Sequence, residues 1–221
     1  MSDLNNKSVY RNELLDILIP DLPEEGNLQM PTPGVLSYYK DRKDRIIWIN
    51  KDIDDSLFDE IKLILQFNRE DEENNIPVEK RKPIRLMIHS YGGALDCAFS
   101  MVDVLNISKT PVYGYNLNVC MSAGSLIFIN THKRFCMPLS TALFHAGSAV
   151  QSGDYNSLMA QTDNYKRNIE MLKKNIVEKT KISKQTLTKK FKSDWYLTSD
   201  EQIQYGVADE VITDISQLFN I

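Results

Sequence analysis

Cysteine is scarce in this chain, and its placement suggests no disulfide framework. Only Cys97, Cys120 and Cys136 occur in 221 residues, widely spaced and with no CxxC pair. An odd, scattered set argues for a reducing compartment and against a stapled secreted domain or a zinc ribbon. A zinc hydrolase of the HExxH type is excluded as well, because that motif is missing. Long apolar runs are also lacking. The best candidate, Leu14-Leu15-Asp16-Ile17-Leu18-Ile19, is interrupted by Asp16 and stopped by Pro20, too short to span a bilayer. No basic stretch followed by an apolar core opens the chain, so no secretory leader is expected and a cytoplasmic protein is. There is no basic stripe: the net charge is −4, with Lys and Arg interspersed among acids, which leaves no electrostatic reason to expect nucleic acid. GxGxxG and GK[ST] are both absent, so a phosphate cradle is not expected, nor any bound cofactor or metal.

What is present fits an ordinary folded domain. Hydrophobic residues make up 42% and charged residues 25%, and the length allows one sizeable core. Residues 1–44 are polar and punctuated by Pro20, Pro23, Pro31 and Pro33, which predicts an N-terminal arm with at most one short amphipathic segment. Residues 45–221 predict a single α/β domain. A strand at 45–49 leads to a helix over 52–67, with apolar residues at 53, 57, 61, 64 and 65. Residues 68–83 are densely charged and predict a solvated loop insertion. The chain then alternates: strand 84–89, helix 94–107, strand 112–117, helix 123–130 and short strands at 134–137 and 142–144. That order predicts parallel crossovers. A long helix over 154–181 follows, capped by Asp154, with Leu158, Tyr165, Ile169, Leu172 and Ile176 on one stripe. It either projects to pack on another subunit or lies as one more layer over the sheet. A shorter helix at 183–190 and a helix–turn–strand pattern over 196–212 around Gly206 complete the chain.

Candidate chemistry resides in three distant places. Ser122 stands between a predicted strand and a predicted helix, in Cys120-Met121-Ser122-Ala123-Gly124. A lone serine there is more often a helix cap, but the small residues after it leave room for a substrate carbonyl. His145 ends an apolar strand and opens into Ala146-Gly147, which suits a cleft, whereas His132 lies in a turn and His89 precedes the glycine pair. Asp194, beside Trp195 and Tyr196, is placed to orient a histidine from partial burial, with Asp200, Asp209 and Asp214 as rivals. Gly92-Gly93 permits a turn that presents N–H groups to an oxyanion. Cys120 is a rival nucleophile, although a core position at the end of an apolar strand suits it better. Neither the context of Ser122 nor the order Ser, His, Asp matches the GxSxG hydrolases.

These blocks together resemble the proteolytic subunit of the ATP-dependent Clp protease, the caseinolytic serine peptidase family. The resemblance runs from Lys43 to about Val211. It is carried by His89-Ser90-Tyr91-Gly92-Gly93, Met121-Ser122-Ala123-Gly124, Arg134-Phe135-Cys136-Met137-Pro138 with Phe144-His145, and Asp194-Trp195-Tyr196-Leu197-Thr198. It implies a crotonase-like β-β-α superhelix with the 154–181 helix as a projecting handle. It further implies Ser122 as nucleophile, His145 as base, Asp194 as acid, and the N–H groups of Gly93 and Ala123 as the oxyanion hole. The implied assembly is two stacked seven-membered rings around a chamber. A Clp-type AAA+ unfoldase that consumes the ATP would feed it unfolded polypeptide.

The chain departs from that family at several points. Ala123 replaces a methionine, Ala146-Gly147 replaces Gln-Pro, and Asn118 replaces a glycine. Ser193 stands where many members carry an inter-ring arginine, and Met87 where the unfoldase docking cleft is aromatic. A divergent paralogue with an intact triad accounts for both sets of observations. The competing readings are an inert ring subunit and a crotonase-type acyl-CoA enzyme.

Overall fold

The computed structural model describes residues 32–148 and 150–219. The chain divides into two compact units, Met1–Asp44 and Arg45–Ile221. Within the first, the predicted arm ends in a helix, α1 (Pro33–Lys43), started by the Thr32 side chain and Pro33 and ended by the basic turn Lys40, Arg42 and Lys43. The 14–19 segment considered above lies outside the described residues.

The second unit is a mostly parallel sheet with helices between its strands. Its elements are β1 (Ile46–Ile49), α2 (Phe58–Glu73), β2 (Ile84–Ser90), α3 (Leu95–Ile107), β3 (Val112–Met121), α4 (Ala123–Ile129), β4 (Lys133–Cys136) and β5 (Thr141–Phe144). They are followed by α5 (Tyr155–Lys179), α6 (Lys184–Lys190), β6 (Trp195–Leu197), α7 (Ser199–Gln204) and β7 (Glu210–Val211). The sheet runs β1-β2-β3-β4-β7, and β5 branches from the far end of β3 to carry β6 antiparallel.

Central β2 is buried almost throughout, as expected where both faces of a parallel strand are covered. On one face Ile49, Ile88, Asn116 and Cys136 share a row with every side chain buried. Apolar stripes of α2, α3 and α5 and the whole of α4 belong to this core. The opposite face carries the row Trp48, Met87, Tyr115 and Phe135, where the Tyr115 and Phe135 rings stack at 4.8 Å. No helix among the described residues is long and apolar enough to cross a membrane.

One sequence expectation needs correction. Residues 68–83 are not a loop throughout, because α2 continues to Glu73 and a short 3-10 turn covers Val78–Lys80. Two of the polar residues that suggest a loop, Asn68 and Asp71, turn onto partners within the domain, while most of the others are exposed. Asp71, fully buried, takes hydrogen bonds from Arg45 and Thr110, and Asn68 binds the Ile64 carbonyl, Ser108 and the N–H groups of Lys109 and Thr110.

Candidate active site

Strand β3 delivers Ser122. Its last residues pair with β2 on one side and β5 on the other, and the chain turns straight into buried α4. The turn is tight enough to force Ser122 to φ 53°, ψ −120°, a region that L residues rarely occupy. Its N–H is committed to the Leu143 carbonyl at 2.9 Å, which holds the turn in place. Gly92 makes room for it, since a Cβ there would lie 2.7 Å from the Ser122 Cβ.

His145 is the first residue past β5, and Asp194 the last before β6. The antiparallel register pairs Ala142 with Leu197, Leu143 with Tyr196 and Phe144 with Trp195. Continued one step, that register sets His145 opposite Asp194. Strand alternation turns Trp195 and Leu197 inward and leaves Tyr196 outside. The His145 Nε2 lies 2.8 Å from the Ser122 Oγ, and its Nδ1 lies 3.2 Å from an Asp194 carboxylate oxygen. The structure therefore brings Ser122, His145 and Asp194 into one hydrogen-bonded line. The expected partial burial of Asp194 is not seen: its side chain is 55% exposed, and the burial falls on the neighbouring Trp195.

Gly93, at φ 145°, forms a parallel bridge with Ile53, so close that a Cβ would fall 2.2 Å from the Ile53 carbonyl oxygen. Ala123 opens α4, so its N–H has no acceptor within that helix. Gly93, Ala123, Ser122 and His145 all line one cavity of about 450 Å³. Its walls are apolar: Leu95, Phe144, Ile169 and Leu172, with Tyr91 and Tyr165 adding rings. A hydroxyl, an imidazole, a carboxylate and two backbone amides around an apolar pocket are the groups that acyl transfer needs.

The remaining candidates are employed elsewhere. Cys120 is fully buried, its Sγ 3.2 Å from the Gly124 carbonyl, and burial drives its thiol far above the ordinary range. His132 accepts from the Val112 N–H at 3.0 Å, and His89 stacks edge-on against Tyr91 and does not line the cavity. Asp209 is paired with Arg134, Asp214 caps the 3-10 turn Ile215–Leu218, and Asp200 sits in the first turn of α7. No cluster of His, Cys, Asp or Glu among the described residues could hold a metal ion.

Sequence reasoning assigns Tyr165, Ile169 and Leu172 to a packing stripe and does not reveal that the same stripe walls the cavity. The signal is the tyrosine itself, whose hydroxyl needs a partner when its ring is packed.

Comparison with known proteins agrees with this architecture. The chain is 26% identical over 196 residues to an "ATP-dependent Clp protease proteolytic subunit 2" of Corynebacterium efficiens, covering 85% of this chain and 94% of that protein. It is 27% identical over 139 residues to an "ATP-dependent Clp protease proteolytic subunit" of Paracoccus denitrificans, covering 62% and 70%. The structure superposes on a point mutant of ClpP1 from Listeria monocytogenes with a TM-score of 0.70 at 22% identity, covering 82% of this chain and 99% of that one. The fold is thus the crotonase-like α/β superhelix. The Clp protease family matches residues 35–215, and the chain belongs to that family.

Proposed function

We propose that this protein is a Clp-type serine endopeptidase subunit that hydrolyses unfolded polypeptide through Ser122, His145 and Asp194. The observation that carries the reading is the continuous line of contacts, 2.8 Å from Ser122 to His145 and 3.2 Å from His145 to Asp194, opening on an apolar cavity.

In the proposed reaction His145 Nε2 takes the Ser122 proton as Oγ attacks the scissile carbonyl. Negative charge develops on the carbonyl oxygen and is met by the N–H groups of Gly93 and Ala123. Asp194 accepts from Nδ1–H, which fixes the imidazole tautomer and steadies the imidazolium. His145 then protonates the leaving amine. Water, deprotonated by the same imidazole, attacks the ester, releasing the carboxylate and restoring the Ser122 hydroxyl. No step draws on a cofactor of this chain. ATP would be spent by a partner AAA+ unfoldase that threads substrate into a chamber formed by two stacked heptameric rings in the cytoplasm. Family membership and the relatives' names as ATP-dependent proteolytic subunits support this wider reading.

Fluorophosphonate labelling of size-separated oligomers tests chemistry and assembly together. The adduct is expected on Ser122, and Ser122→Ala should slow cleavage of an unstructured peptide by at least about a thousandfold. Equal rates for Ser122→Ala and the parent would sink the peptidase reading, and a Ser122 left unlabelled even in high-order oligomers would favour an inert ring subunit.

A further inference from the structure

Beyond Phe144 the chain leaves the sheet. The last ladder partners of β5 are Leu143 with Met121 and Phe144 with Trp195. His145 and the following Ala146-Gly147-Ser148 are therefore irregular backbone, with Gly147 at φ 75°. A base on such a segment needs its main chain held still, because a displacement of about 1 Å can cost roughly a hundredfold in rate.

The hold comes from α5. The Tyr165 hydroxyl donates to the Ala146 carbonyl at 2.8 Å, bridging the long helix to the residue next to His145. The ring itself is partly buried and packs against the core cluster, on the same stripe as buried Ile169 and Leu172. The two segments also pass closely: a Cβ built on Gly147 would lie 3.8 Å from the Tyr165 hydroxyl oxygen.

We propose that Tyr165 is a positioning residue for His145, its hydroxyl clamping the Ala146 carbonyl so that the imidazole stays aligned with Ser122. The inference rests on the peptidase reading above. The ring lines the cavity, but the hydroxyl is given to the main chain, so ring and hydroxyl have separable duties. The ring shapes the pocket and the hydroxyl steadies the base.

Tyr165→Phe separates them, because it keeps the ring and removes only the donor. Steady-state cleavage of an unstructured peptide should show kcat, and the fluorophosphonate labelling rate, falling about two- to tenfold with KM unchanged, the scale of one neutral hydrogen bond. Tyr165→Leu, which removes ring and donor together, should lower kcat similarly and also raise KM. An unaltered melting temperature for Tyr165→Phe, measured in parallel, excludes a general loss of stability. A Tyr165→Phe protein with the parent's kcat and labelling rate, or one altered in KM alone, overturns the clamp and leaves the peptidase reading intact. A parent that is itself unreactive overturns both.

Discussion

Ser122 is a non-glycine residue held at positive φ between a parallel strand and a buried helix. Such a backbone costs about 1–3 kcal/mol and persists only where its surroundings over-determine it. Here they do so through the bond to the Leu143 carbonyl and through the missing side chain of Gly92. Gly92→Ala should therefore injure site and fold together: at φ 104° its Cβ would meet the Ser122 Cβ at 2.7 Å and the Met121 carbonyl oxygen at 2.8 Å. A loss of about 1–3 kcal/mol in denaturant titration is expected. Fluorophosphonate labelling should also slow by roughly a hundredfold. Parent-like behaviour in both measurements would mean that the turn yields more easily than its contacts imply. At this scale much is legible in the sequence. Ser122 and His145 announce themselves through small neighbours at element ends. Asp194 does not, because Asp200, Asp209 and Asp214 carry the same side chain and only their engagements, with Arg134 or as helix caps and first-turn residues, set them apart.

Asp194 is selected by an element that the sequence conceals. β6 is three residues long, too short for alternation to declare itself, and the stretch reads instead as the prelude to a helix. Yet its register with β5 is what sets Asp194 opposite His145. The end of α2 is hidden for a related reason: Asp71 and Asn68 look like loop residues until Arg45, Thr110 and Ser108 are seen around them. Burial alone would push the Asp71 carboxyl up, but the hydrogen bonds from Arg45 and Thr110 and the charges of Arg45 and Arg81 outweigh it and hold the group below its ordinary value. The stabilisation from a depressed carboxyl is complete above the value of the unfolded chain, about 3.9, and is lost as pH falls through the folded value. Asp71→Asn, which leaves Arg45 uncompensated, should cost about 3 kcal/mol at neutral pH. The gap from the parent should close below about pH 4. A gap that stays constant down to the acid limit would show that the ion pair is not its source.

For the whole molecule the most telling feature is an asymmetry along α5. Its buried residues, Ile169, Leu172 and Ile176, all lie in the second half. The first half presents Tyr155 at 76% and Met159 at 46% exposure, one helical turn apart. The stripe is readable from spacing, but the exposed apolar side chains at its start have no counterpart in the buried core of this chain. In the proposed assembly this surface meets other subunits. Light scattering should then give a mass well above the 25.4 kDa monomer, and Tyr155→Asp with Met159→Asp should reduce it. A monomeric parent would refute the chambered arrangement while leaving the chemistry of Ser122 open to test.

Burial of the three sulfhydryls has a consequence for the environments this molecule tolerates. Cys97, Cys120 and Cys136 all lie inside, and burial raises each thiol, Cys136 to about 11. Thiolate is what peroxides and alkylating agents attack, and almost none forms or faces solvent here. In the proposed reaction the attacking atom is the Ser122 oxygen, two residues from such a sequestered sulfur, so oxidation or alkylation of thiols is expected to leave that step untouched.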